Sequence, residues 1–163
     1  LVARASGGAA VFLIDRLPSR LAMGASLGAA AVVNASEEDP SARVAELTNG
    51  RGVDFVFDAS GSSKACASAP ALAARGGSVT VIGWPETATF PYPIEMVIEK
   101  ELDIHGTNRY ANAFPRAIAL LAAGKIDPRP LVSQRYPLSA VLEAFRFAAD
   151  RPTETIKVMV KTS

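Results

Sequence analysis

Residues Ala10, Val11, Phe12, Leu13 and Ile14 form an unbroken apolar run, and the next position, Asp15, is an acid. Such a run suits a strand covered on both faces, as in a parallel sheet between helices. A strand with one wet face would alternate instead. The α/β class is therefore indicated before any other element is placed, and Asp15 falls at the carboxyl edge of the strand. In dinucleotide-binding folds an acid at that edge accepts hydrogen bonds from the adenosine ribose hydroxyls, roughly 20 residues after a Gly-rich phosphate loop. Only 14 residues precede Asp15, too few for such a loop at that spacing. The opening residues read instead as the last turns of a helix stopped by Gly7.

The same alternation continues along the chain. Pro18 suits a first helical turn, and the apolar-rich segment from Leu21 to Leu27 closes at Gly28. A short strand over Ala30 to Val33 leads to Asp39 and Pro40 as N-cap and first residue of a helix over Ala42 to Thr48, ended by Asn49 and Gly50. Val53 to Phe57 is the next strand, followed by a turn from Asp58 to Gly61, a helix from Ser62 to Arg75 halted by Gly76 and Gly77, and a strand from Ser78 to Ile82 that stops at Gly83. A short helix is predicted over Pro93 to Lys100, a strand over Leu102 to Gly106, and a helix capped by Asn112 and stopped by Gly124. Asp127 to Pro130 is a stiff connector. A strand over Leu131 to Pro137, an amphipathic helix over Ser139 to Ala149 and a strand over Ile156 to Val160 complete the chain, with nothing after the last strand for it to pair with.

Strands alternating with helices in this way predict a doubly wound parallel sheet, which binds ligands at the carboxyl ends of its strands. Asp15, the Asp58 to Gly61 turn and the Gly83 to Pro85 turn all lie at such ends. Asp58 can hold its own turn by accepting backbone N–H groups, as Asp does after strands, or serve a ligand. Trp84 can cover a cofactor or fill the rim of the crevice. His105, the sole histidine, sits in an apolar strand and reads as structural; Cys66, the sole cysteine, lies among alanines and reads as a buried, inert thiol.

Composition excludes several function classes. The 17 basic and 16 acidic residues are scattered and leave a net charge of +1, which argues against nucleic-acid binding and against a membrane-surface patch. No apolar run is long enough to span a bilayer. One Cys and one His cannot make a Cys/His zinc site, which typically takes about four such ligands. A lone cysteine also excludes an intrachain disulfide, for which a reducing cytoplasmic setting is the plainer reading.

One ordered set of phrases identifies the relationship. Asp15 has Arg20 five residues on, and there follow Leu27 to Ala29, Glu46 to Gly50, Gly52 to Phe55, and Gly76 with Gly77 ahead of Val81 to Gly83. The tail adds Arg109 to Asn112, Ala117 and Ile118, Gly124 to Ile126, Pro130 and Leu131, Tyr136 to Leu138, Glu143 to Phe145 and Ile156 to Met159. In this order they resemble the zinc-dependent medium-chain dehydrogenases, and the tail resembles their polyol (sorbitol and xylitol) branch in particular.

The resemblance implies a Rossmann-like fold lacking its first strand and Gly-rich loop, with residues 1–130 as an incomplete NAD-binding domain. Residues 131–163 would be a carboxyl-terminal return onto a catalytic domain. It implies cofactor contacts at Asp15 and Arg20 to the adenosine ribose, at Ala59, Ser60 and Gly61 and at Ile82 and Gly83 to the ribose and nicotinamide, and at Asn108 and Arg109 beside the nicotinamide. The family usually has an apolar residue where this chain has Asn108. Arg109 and Tyr110 would face the substrate, although Tyr110 also reads as a core-edge aromatic. The family's zinc ligands and proton relay would lie in an amino-terminal domain outside these 163 residues, so no catalytic or metal-binding residue is expected among them.

NAD is the expected cofactor, since a 2′-phosphate would lie beside Asp15. Arg16 leaves NADP as the lesser alternative, because an arginine just past this strand can grip that phosphate. The implied whole is a cytoplasmic, homo-oligomeric NAD- and zinc-dependent polyol or secondary-alcohol dehydrogenase, of which this chain alone would be inactive. Two other readings stand beside it. One is a non-catalytic nucleotide-binding module; the other is a methyltransferase using S-adenosylmethionine, which also places an acid after its second strand but does not account for the tail.

Overall fold

The computed structural model describes residues 1–162. In chain order the helices are α1 (Val2–Ala5), α2 (Pro18–Ser26), α3 (Pro40–Leu47), α4 (Ser63–Leu72), α5 (Ile94–Glu99), α6 (Ala113–Ala122) and α7 (Val141–Asp150). The strands are β1 (Phe12–Asp15), β2 (Ala31–Asn34), β3 (Val53–Asp58), β4 (Ala73–Val81), β5 (Asp103–Gly106), β6 (Val132–Pro137) and β7 (Lys157–Lys161). Every ladder among the described residues is parallel, and the strands pair as β1 with β2, β3 with β4 and β5 in that order, and β6 with β7. Parallel neighbours need a crossover, and helices supply it, which makes this the doubly wound, Rossmann-like α/β fold that the alternation predicts. No helix among the described residues is long and apolar enough to cross a membrane.

The chain forms two compact units, one of residues 1–37 with the chain from Asn112 onward, the other of residues 38–111. In the first unit, α2 packs on both β1 and β2. Leu21 is its buried side chain. Gly24 lets the helix come close, since a Cβ there would lie 2.1 Å from Leu13 Cδ2. Gly28 takes φ of 86° to turn the chain into β2. Farther on, α7 is the crossover between β6 and β7 and buries Ala144, while the Tyr136 and Phe147 rings meet at 6.2 Å between centroids. The final strand thus has a partner after all. It pairs back with β6, from Val132 opposite Lys157 to Pro137 opposite Lys161.

In the second unit, Asp39 accepts a 2.7 Å hydrogen bond from the Ser41 N–H and Pro40 occupies the first turn of α3, as its sequence predicts. Val56, Ala69, Ala73, Val79 and Leu102 form the core, with Val53, Leu72 and Val97 packed against it. Strand β3 alternates near its end: Val56 and Asp58 point inward, while Phe55 and Phe57 are 68% and 57% exposed.

Two local expectations are corrected. Helix α4 ends at Leu72 rather than Arg75, and Ala73 already pairs with Val53 in the sheet. The Lys100 ammonium terminates it by donating to the carbonyls of Pro70, Ala71 and Ala73 at 3.0, 3.1 and 2.8 Å. Gly76 and Gly77 lie in an irregularity of β4 instead of stopping the helix. Gly76 has φ of 67°, and its N–H donates to the Lys100 carbonyl at 2.7 Å. Asn112 precedes α6 as expected, but in the left-handed region (φ 55°) and without a side-chain capping bond.

Candidate cofactor site

The first unit supplies Asp15 at the end of β1. The backbone N–H groups of Arg16 and Leu17 donate to its Oδ1 at 2.7 and 3.0 Å, an Asx-type turn that fixes the carboxylate. Oδ2 lies 3.7 Å from Arg20 Nη1, and the side chain is 25% exposed. One oxygen is thus committed to the turn. The other stays accessible beside a cation, which suits an acceptor for a ribose diol. Arg16 and Arg20 are exposed, on the turn and on the first turn of α2.

The other expected cofactor residues belong to the second unit, where two strand ends are tied together. The Asp58 carbonyl accepts from the N–H groups of Ile82 and Gly83 at 2.8 and 2.9 Å, and the Gly61 carbonyl accepts from Glu86 at 3.0 Å. The hydroxyls of Ser63 and Thr87 meet at 2.7 Å. Ala59, Ser60 and Gly61 are in this way held against Ile82 and Gly83. The approach is tight enough that a Cβ on Gly83 would lie 2.3 Å from the Gly61 nitrogen. Gly61 itself has φ of 72°, a conformation glycine adopts without penalty. The Glu86 and Thr87 contacts went unforeseen, because nothing local in the sequence marks them.

Asp58 holds its turn: its Oδ1 accepts from the Ser60 N–H at 3.0 Å and the Ser60 hydroxyl at 2.6 Å. Trp84 is 82% exposed and fills no core. The segment after β5 starts beside β4, since the Thr107 N–H donates to the Val81 carbonyl at 3.0 Å. Asn108, Arg109 and Tyr110 follow, all exposed. Arg109 takes φ of 59°, a strained setting for a side chain with a Cβ that costs about 1–2 kcal/mol. Two cavities of this unit, about 470 and 380 Å³, are lined by other residues, the first by Tyr92 to Met96 and Glu99 and the second around Arg51, Arg75 and Lys100.

Zinc does not fit these residues. No group of three or more His, Cys, Asp or Glu side chains that could hold a metal ion occurs among the described residues. Cys66, 3% exposed in α4, is pushed above the ordinary thiol range by burial first and by the charge of Asp58 second, the opposite of what a thiolate ligand needs. His105 is exposed on β5, opposite Thr80.

Parallel strands joined by crossover helices, as each unit shows, are the architecture of a Rossmann-like α/β fold. Residues 1–123 match the family described as zinc-binding dehydrogenase, and the chain belongs to that family. It is 34% identical over 158 residues to a sorbitol dehydrogenase of Bacillus subtilis (strain 168), covering 97% of this chain and 45% of that protein. With a putative D-xylulose reductase of Rhizobium meliloti (strain 1021) it shares 35% over 162 residues, covering 99% and 46%. The structure superimposes on alcohol dehydrogenase TADH from Thermus sp. ATN1 with a TM-score of 0.88 at 32% identity, covering 98% of this chain and 46% of that one. These relatives agree with the polyol branch of the family. The chain spans a little under half the length of the curated relatives it matches.

Proposed function

We propose that this chain is the cofactor-holding part of an enzyme that oxidises a polyol or secondary alcohol by hydride transfer to NAD. The observation that carries the reading is the Asp15 carboxylate, one oxygen fixed by backbone N–H groups and the other left beside Arg20. A ribose diol would satisfy that oxygen. A 2′-phosphate would set like charges about 4 Å apart, a repulsion of about 4 kcal/mol at an effective dielectric near 20, before screening and before any offset from Arg16 and Arg20. NAD is preferred on that ground.

When bound, the nicotinamide supplies the hydride acceptor. The protein's part is to hold it. In this reading the Ala59–Gly61 turn and the Ile82 and Gly83 backbone support the ribose and nicotinamide, and Asn108 and Arg109 lie along the nicotinamide, while Arg109 and Tyr110 meet the substrate hydroxyls. We assign residues 1–130 to the cofactor domain and residues 131–163 to a return onto a catalytic domain. Activation of the alcohol belongs to that other domain, as does zinc. Cytoplasmic residence and a homo-oligomeric assembly belong to the same reading.

The test is equilibrium titration with NADH and NADPH of the protein as its cell makes it, unaltered and with Asp15→Asn. Tighter NADH binding that the substitution erodes is the expected result; equal affinity for both nucleotides in both forms would sink the assignment. The isolated 163-residue chain is expected to show no turnover. Zinc-independent reduction of NAD by it with sorbitol or xylitol would refute that.

A further inference from the structure

Three proton-bearing side chains of the second unit meet beneath the Asp58 to Gly61 turn. Asp58, the last residue of β3, is 8% exposed. Its Oδ1 serves the Ser60 N–H and hydroxyl, while its Oδ2 is buried with no hydrogen-bond donor. Cys66 on α4 approaches the same carboxyl, and burial with the carboxylate's charge pushes the thiol up. Tyr92, just ahead of α5, has a buried hydroxyl without a partner; burial, then Cys66, then Asp58 push its phenol up.

An acid so placed is more than a turn residue. Asp58 takes four donors with two functional groups, Ile82 and Gly83 at its main-chain carbonyl and Ser60 twice at its carboxyl, and its charge is felt by Cys66 and Tyr92. Both loops of the edge therefore depend on one residue. A surface Asx turn needs none of that burial, and a buried carboxyl oxygen with no neighbour but the Cys66 thiol to serve it calls for an explanation.

We infer that Asp58 is a positioning residue for the cofactor: its carboxyl, packed against Cys66 and Tyr92, sets from below the shape of the Ala59–Gly61 turn on which the nucleotide rests. This rests on the reading that the edge takes a nicotinamide dinucleotide. Asp58 touches neither cofactor nor substrate. Its carboxyl acts through Ser60, while its main-chain carbonyl holds the amides of Ile82 and Gly83.

The experiment compares Asp58→Ala with Asp58→Asn in the protein as its cell makes it, with NADH titrated by nucleotide fluorescence. The alanine form loses the acceptor for both Ser60 donors and is expected to bind NADH about tenfold more weakly, the equivalent of one hydrogen bond. The asparagine form keeps a side-chain oxygen there and is expected to bind within about twofold of the parent. Its Cys66 thiol, freed of the neighbouring charge, is expected to alkylate with an onset at lower pH, a shift that a merely space-filling Asp58 would not cause. An alanine form that binds NADH as the parent does, or an asparagine form as weak as the alanine one, overturns the inference. Amide hydrogen exchange on the unaltered protein covers an alanine form that fails to fold. Ser60, Ile82 and Gly83 should be protected together and slow further with NADH, and a Ser60 amide that exchanges freely in both conditions overturns it too. A parent that binds no nicotinamide dinucleotide at all sinks the cofactor reading and this inference with it, whereas a binding parent with an equally binding alanine form sinks only the role of Asp58.

Discussion

Replacing Gly83 with alanine probes the tightest approach of any described glycine to backbone atoms. The new Cβ would lie 2.3 Å from the Gly61 nitrogen and 3.0 Å from both the Ala59 carbonyl carbon and the Gly61 Cα. All three are backbone atoms. Ordinary contact starts near 3.4 Å, so one loop must move by about 1 Å, stretching the bonds from Ile82 and Gly83 to Asp58. Overpacking of this kind costs about 1–3 kcal/mol, which lowers the melting temperature by about 2–12 °C for a chain of this size. Gly83 has no positive φ, so steric contact is the sole cause. Two controls separate contact from backbone strain. Gly76→Ala meets no atom within 4 Å but holds φ of 67°, a cost of about 1–2 kcal/mol. Gly106→Ala meets neither obstacle and should stay within about 0.5 kcal/mol. Thermal melts followed by circular dichroism, with NADH titrations in parallel, should rank Gly83→Ala as most damaging and as the only one of the three to weaken NADH. A Gly83→Ala form that melts with the parent and binds NADH equally well would refute the reasoning.

Other outcomes follow from the same contacts. Asp15→Asn should raise affinity for NADPH relative to NADH by roughly tenfold at low salt, less as salt rises; an unchanged ratio in paired titrations would show that Asp15 does not face the ribose. Lys100→Met removes the donor to three carbonyls at the end of α4 and should cost about 1–3 kcal/mol in urea unfolding; an unshifted midpoint would show those carbonyls to be satisfied otherwise. Asp127 is held down at about 2, from 3.8, by side-chain and backbone hydrogen bonds from Arg129. Because the folded value is the lower one, its contribution to stability is complete above pH 3.8 and fades as pH falls toward 2. An NMR titration should give the low midpoint in the parent and a higher one in Arg129→Met, where only the main-chain donor of residue 129 is left, and equal midpoints would contradict the side-chain pairing. Native Cys66 should alkylate far more slowly than in the urea-unfolded chain, and comparable rates would contradict its burial.

Reading the sequence located most elements because their signals are local. The apolar run ending at Asp15, the Asp39 and Pro40 pair, and the turns at Gly28 and Gly50 each act within a few residues. The end of α4 was not legible for the opposite reason. Ala71 to Arg75 has strong helix propensity, and what overrides it comes from elsewhere in the chain: Val53, pairing with Ala73, and Lys100, drawing the carbonyls away. The partner of β7 was hidden in the same way, since parallel pairing across α7 leaves no hairpin turn to read. Within the site, Asp15 beside Arg20 and the glycines of the two turns were visible as residues. The two uses considered for Asp58 could be separated only by its burial and by the Ser60 bonds.

The edge formed by residues 58–61 and 82–86 is fastened mainly by main-chain groups. Its outward side chains, among them Ala59, Ile82 and Trp84, carry little of that fastening. An engineer can therefore vary those three positions as a small library while leaving Asp58, Gly61 and Gly83 untouched, and expect most members to fold. By the same logic, descendants of this scaffold can change what they accept at this edge through ordinary side-chain drift, without first rebuilding the platform beneath it.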